Sequence, residues 1–242
     1  MNLKEKMLNL GQISFKYRGQ IPLILFVLAI PILADTNNYI RINEIALLII
    51  KGFGILISLI GLIIRYFTVG TTPDNTSGKN RKEQIADKLN TKGIYSIVRN
   101  PLYLANYFIW IGIGIYSTSY LFIIIQSLFF YIYYLKIILA EEEFLQKKYG
   151  NDYTLYIQKT PIIIPNIFLY KTSSIKLSIK KILHEEYSST LSAILSFLYI
   201  DMLLKLFTFN EINVVNMRNY ILILCLSIGL TLILKIYKNI SK

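Results

Sequence analysis

The sequence predicts an all-α membrane bundle of about six spanning helices. Three observations carry that expectation. Of the 242 residues 54% are hydrophobic, and the mean hydropathy is +0.50, too apolar for an ordinary soluble domain. The apolar residues come in blocks near the roughly 20 residues that cross hydrocarbon. Between the blocks, lysine and arginine concentrate in alternate connections, as they do when loop charge sets orientation.

The first expected span runs from Arg18 to Leu33. Met1 to Lys16 is polar and lacks the apolar core of a cleaved leader, so this span is also the anchor. The second covers Ile45 to Phe67, with Gly54, Ser58 and Gly61 on one face, where small residues let a neighbouring helix approach closely. Lys51 is expected to snorkel to the interface. Thr68 to Lys92 reads as a turn-rich basic loop, either a solvated connector or a headgroup or cofactor contact through Asn80, Arg81 or Gln84.

The third and fourth spans, Pro101 to Tyr116 and Ser119 to Ala140, form a hairpin. Glu141 to Tyr187 is too polar to span and reads as a cytoplasmic helix followed by an amphipathic surface segment, punctuated by Pro161 and Pro165. The fifth span, Ser188 to Phe209, carries Asp201 and Lys205 four residues apart, an expected ion pair. The sixth, Tyr220 to Tyr237, contains Cys225 as a small packing residue.

Basic residues of the N-terminal stretch (Lys4, Lys6, Lys16, Arg18), of the loop from Lys79 to Lys92, of Lys147 to Lys181 and of the tail then share one side. Both termini are therefore expected in the cytoplasm. The net charge of +12 is spread over these juxtamembrane loops, which points to anionic lipid headgroups and away from nucleic acid. A single cysteine excludes an internal disulfide and a paired-thiol motif, and His184 has no neighbouring histidine or cysteine, so no metal site is expected. The pairs Gly52/Gly54 and Gly112/Gly114 lie within apolar spans and are not dinucleotide fingerprints.

Two polar cassettes bracket the hairpin: Gly93-Ile94-Tyr95-Ser96-Ile97-Val98-Arg99-Asn100-Pro101-Leu102-Tyr103, and Glu141-Glu142-Glu143-Phe144-Leu145 running to Tyr149-Gly150, Tyr153 and Tyr156. Charge near hydrocarbon is costly and usually functional. Arg99-Asn100-Pro101 reads as a helix start, with Pro101 in the first turn and Asn100 able to cap. Antiparallel packing should return the acids to the level of Arg99, giving either a plain salt bridge or a small-molecule site of apolar wall and convergent polar groups.

The ordered pattern Gly-x-Tyr-x-x-x-Arg-x-Pro-x-Tyr, a hairpin, then Glu-Glu-x-x-Leu-x-x-x-Tyr-Gly-x-x-Tyr-x-x-Tyr closely resembles the isoprenylcysteine carboxyl methyltransferase and phospholipid methyltransferase superfamily, from Asp87 to Pro165. The resemblance implies S-adenosylmethionine as cofactor. It implicates Asp87, Lys88, Leu89, Asn90, Tyr95, Asn100, Pro101, Leu102 and Tyr103 in binding it, with Glu142 or Glu141 from the second cassette. Arg99 and Glu142 are the expected catalytic pair, with Arg99 orienting substrate or cofactor carboxylate. Asn100 stands where the family usually has histidine. The family's arginine before the acidic run has its nearest counterpart in Lys136, the expected substrate contact.

A membrane-embedded site implies an amphiphilic acceptor. The abundance of Ile, Lys, Asn and Tyr fits an AT-rich bacterial genome, where prenylated protein C-termini are not expected. A lipid headgroup, amine or phosphate, is then favoured at the cytoplasmic face of the inner membrane. Carboxyl methylation of an isoprenylcysteine is the alternative, and a nicotinamide-dependent lipid reductase or a non-catalytic scaffold are readings from other classes. The expected organisation is a two-helix region with its loop (1–86), a methyltransferase core (87–170) and a C-terminal extension (171–242).

Overall fold

The computed structural model describes residues 2–36, 43–73, 76, 84, 86–209 and 214–240. Within them the chain is helical without named strands. The helices are α1 (Leu3–Lys16), α2 (Leu23–Thr36), α3 (Glu44–Gly70), α4 (Pro101–Tyr116), α5 (Tyr120–Tyr149), α6 (Asn151–Lys159), α7 (Ile179–Leu204) and α8 (Val214–Ile240).

Among the described residues four helices are long and apolar enough to cross a membrane: Glu44–Gly70, Tyr120–Tyr149, Ile179–Phe207 and Met217–Ile240. The shorter apolar helices Leu23–Asp35 and Pro101–Tyr116 correspond to the first and third expected spans. At about 1.5 Å per residue, α4 alone is shorter than the hydrocarbon layer, and it lies against the longer α3. The protein is an all-α integral membrane bundle.

The seam between α3 and α4 is a close one, and small residues make it. A Cβ added at Gly61 would sit 2.6 Å from the Ala105 carbonyl. Ser58 Oγ donates to Ile109 O at 2.7 Å, so the backbones meet through a hydroxyl rather than a side-chain layer. The turn between α4 and α5 is just as tight. Thr118 takes φ 58° there, and Ser119 caps α5 by accepting from Phe122 N.

Several helix ends depart from expectation. α2 starts at Leu23 rather than Arg18, because 17–22 form turns. The polar N-terminus is itself a helix, opened by an Asn2–Glu5 capping box and laid across α5, with Tyr133 Oη donating to Ser14 O at 2.7 Å. α5 continues through the acidic cassette to Tyr149, since the apolar span passes into good helix formers without a breaker. The polar stretch after it holds α6 and a short 3₁₀ turn, Ile167–Leu169.

Two expectations about single residues are corrected, and a third, the Asp201–Lys205 pair, is met with additional partners. Lys51 does not snorkel alone: its Nζ lies 2.8 Å from Asp201 Oδ1. Asp201 does meet Lys205, at 3.4 Å, but also accepts from Tyr116 and Tyr220, because four helices converge there and a half-buried carboxylate needs several donors. Cys225 is exposed rather than packed, because α8 touches the bundle chiefly along α7. Lys79, Asn80, Arg81 and Lys82 lie outside the described residues.

Candidate active site

The first cassette is shaped by glycine. Gly93 adopts φ 61°, a left-handed backbone that a Cβ disfavours, and turns the chain into the short 3₁₀ segment Ile94–Ser96. Ser96 Oγ donates to Gly93 O at 2.7 Å and accepts from Lys171 N at 2.8 Å, locking the turn. Pro101 then opens α4, where its missing N–H costs nothing. Asn100 precedes it but makes no side-chain cap. Its amide instead donates to Ile162 O at 3.1 Å, the correction to its expected role, because the loop after α6 offers that carbonyl first.

The second cassette is shaped by helical rotation. Successive residues project about 100° apart, so three adjacent acids cannot share one face. Glu141 takes a hydrogen bond from Tyr103. Glu142 Oε1 lies 2.9 Å from Arg99 Nη1. Glu143 turns outward, 3.2 Å from Lys4 on α1 and 3.4 Å from Lys147. Gly150, at φ 52°, then breaks α5 from α6 and folds the tyrosines back. Tyr156 Oη donates to Tyr95 O at 2.7 Å, and Tyr149 Oη to Ala86 O.

The two cassettes therefore meet, and a cavity of about 500 Å³ lies between them. Arg99 and Glu142 form its charged end. The Arg99 side chain is 10% exposed, yet its Nε has no hydrogen-bond partner. Buried polar atoms left open in this way are costly, and at a cavity wall they mark where a polar ligand belongs. Burial pushes the hydroxyls of Tyr95 and Tyr153 well above their ordinary range, with Glu141 and Glu142 respectively adding to the effect. Both stay protonated donors at any physiological pH.

Of the residues singled out by sequence, Lys88, Leu89 and Asn90 line the cavity from the loop, and Tyr95, Arg99 and Asn100 from the first cassette. Pro101, Leu102 and Tyr103 line it from α4, and Glu141 and Glu142 from α5. Gln84 joins them, while Asn80 and Arg81 lie outside the described residues. Asp87 and Lys136 do not line it. Asp87 is exposed. Lys136 sits where α1 crosses α5, its carbonyl pressed against Gly11.

Other cavity residues were not anticipated. Arg18 lies over the Phe15 ring, 4.2 Å from its centroid, on the α1 side. Arg65 on α3 donates to Glu186 of α7, and also to Asn106, which donates in turn to Tyr134 Oη at 3.2 Å. Beyond them α7 presents Glu185 and Ser188, and Ile109, Trp110, Ile113 and Phe122 form an apolar depth. An arginine five residues inside the end of an apolar span was the signal available for Arg65. Glu186 gave none, since its partner lies 121 residues away.

The comparisons agree with the motif reading. Residues 46–152 match the family model described as phospholipid methyltransferase, a stretch from α3 to the start of α6. Over that segment the chain is similar to the phospholipid methyltransferase family. Among curated proteins it is 30% identical over 87 residues to the nickel-cobalt-cadmium resistance protein NccN of Alcaligenes xylosoxydans xylosoxydans, covering 36% of this chain and 40% of that protein. It is 31% identical over 86 residues to the cobalt-zinc-cadmium resistance protein CzcN of Cupriavidus metallidurans, covering 36% and 39%. The chain thus spans about two-fifths of the length of these relatives. No solved structure matches it. Among the described residues no group of three or more His, Cys, Asp or Glu side chains could hold a metal ion.

Proposed function

We propose that this protein is an S-adenosylmethionine-dependent methyltransferase whose acceptor is a membrane-embedded amphiphile, most simply a lipid headgroup bearing a phosphate or an amine. The observation that carries the reading is the Arg99–Glu142 ion pair at one end of the cavity, with Arg99 Nε left without a hydrogen-bond partner, inside the segment that matches the methyltransferase family.

The donor set fits that cofactor. A zwitterionic sulfonium compound asks for acid near its amine, a donor near its carboxylate and aromatic faces near its cation. Glu142 and Glu141 supply the first, Arg99 Nε the second, and Tyr95, Tyr103, Tyr153 and Tyr156 the third, all lining one cavity. Asn90 adds an amide that is itself held to Thr76 O. When bound, S-adenosylmethionine supplies an electrophilic methyl group.

The chain's own contribution is then positioning. Arg99 and Glu142 fix each other's orientation across the two cassettes, and the apolar depth around Ile109, Ile113 and Phe122 keeps water away. Holding an acceptor in line in such a pocket can supply several kcal/mol through proximity. A phosphate acceptor is already anionic and needs no base. An amine acceptor would hand its proton to a cavity carboxylate, Glu141 or Glu142. The basic connections on the cassette side favour a site at the cytoplasmic face, with the acceptor entering sideways between helices.

The test is incubation of membranes containing the protein with methyl-labelled S-adenosylmethionine, followed by separation of lipid from protein. Label in the lipid fraction supports the reading. Label confined to protein would move the acceptor to a lipidated C-terminus, and label in neither fraction sinks the enzyme.

A further inference from the structure

Between α6 and α7 the chain runs Pro161-Ile162-Ile163-Ile164-Pro165-Asn166-Ile167-Phe168-Leu169-Tyr170, and most of its large apolar side chains are exposed. Phe168 is 92% exposed and Ile164 82%, with Ile167 and Tyr170 also largely exposed. Loops of a folded domain do not ordinarily offer so much contiguous apolar surface unless something covers it.

The segment is not loose. Arg99 N donates to Pro161 O at 2.8 Å, Asn166 N to Ile97 O at 2.9 Å, and Gly93 N to Lys171 O at 2.8 Å. Asn166 further stiffens it by capping the 3₁₀ turn at Phe168 N. These bonds fix its depth as well as its shape. They hold it at the residues immediately before Pro101, where α4 begins, and Ser178 N bonds to the carbonyl of Gly70, the last residue of α3. The apolar side chains therefore lie at the level where the spanning helices end.

Charge identifies what covers them. From Gln158 to Lys180 the sequence holds four lysines and no aspartate or glutamate, and Lys159, Lys171 and Lys176 are exposed around the apolar cluster. Bulky apolar side chains ringed by acid-free lysine, at the boundary depth of a membrane bundle, match a leaflet with anionic headgroups: hydrocarbon for the isoleucines and phenylalanine, phosphates for the lysines.

We propose that residues 162–170 insert into the anionic leaflet at the cassette end of the bundle, as an interfacial wedge beside the mouth of the cavity. The wedge shares backbone hydrogen bonds with Arg99 and Asn166's partner Ile97, so it holds the first cassette against the membrane surface. This assignment does not depend on methyl transfer.

The experiment places a polarity-sensitive NBD label on the full-length protein, in a Cys225→Ser background, at Phe168→Cys and separately at Ile164→Cys. Each is reconstituted in nanodiscs of phosphatidylcholine with and without phosphatidylglycerol. In the anionic discs both labels are expected to be quenched by lipids carrying a nitroxide near the headgroup and to be protected from aqueous iodide. Replacing Lys159, Lys171 and Lys176 together by Gln should reduce that protection several-fold. Labels at both sites that iodide reaches freely in anionic discs would overturn the wedge and leave the surface to a protein partner. Equal protection with and without phosphatidylglycerol would overturn the part given to the lysines. Neither readout involves label transfer to lipid, so failure here and failure of the enzymatic reading are distinguishable.

Discussion

Arg65 on α3 and Glu186 on α7 form a two-pronged ion pair, Nε to Oε2 at 2.7 Å and Nη2 to Oε1 at 3.2 Å. The Glu186 side chain is 1% exposed, so each charge depends on the other. Through this pair a helix outside the matched segment becomes a wall of the cavity. The neighbouring bond between Tyr66 and Thr190 hydroxyls, 2.6 Å, reinforces the same seam.

Breaking the pair from one side should therefore be expensive. Glu186→Ala leaves a buried guanidinium uncompensated, a loss of about 3–5 kcal/mol. Scanning fluorimetry in detergent should show a large drop in melting temperature. The double variant Arg65→Met, Glu186→Met should recover most of it, since a well-packed apolar pair can replace a buried ion pair.

Glu142→Gln keeps shape and removes charge. Hydrogen bonds to charged groups contribute about 1.5–3 kcal/mol, so S-adenosylmethionine binding should weaken by roughly ten- to a hundredfold. Calorimetric titration of the purified protein reads this directly. Unchanged affinity would remove Glu142 from the cofactor site.

The α3–α4 seam separates two glycines that look alike in sequence. Gly61→Ala forces a methyl to 2.6 Å from a backbone carbonyl and should cost about 1–3 kcal/mol. Gly52→Ala meets nothing within 4 Å and should be neutral or slightly stabilising, given alanine's helix preference. Thermal unfolding of the two variants side by side checks the contrast.

Lys136→Ala tests the substrate role suggested by resemblance. Because Lys136 lies under α1 and off the cavity, the change should leave the KM for acceptor essentially unchanged, since no substrate contact is removed. A large KM increase with cofactor affinity intact would restore it as an acceptor contact.

The bundle, its hairpin and the convergence of the two cassettes follow from the sequence alone. Apolar runs of spanning length can only bury their backbone polar groups as helices, and a tight turn of Ser117, Thr118 and Ser119 forces antiparallel return, so Arg99 had to meet the acids. The small-residue face of Gly54, Ser58 and Gly61 was legible for the same reason: close approach requires the absence of side chains, and absence is visible in sequence. What the tertiary structure alone decided is which neighbour each polar group takes. Helical rotation at Glu141, Glu142 and Glu143 sent three identical acids to Tyr103, Arg99 and Lys4. Lys51 found Asp201 across 150 residues, Arg65 found Glu186 across 121, and Asn100 left its cap for Ile162. A buried charge or amide takes whichever partner packing brings within about 3 Å, and packing between helices distant in the chain leaves no local pattern to read.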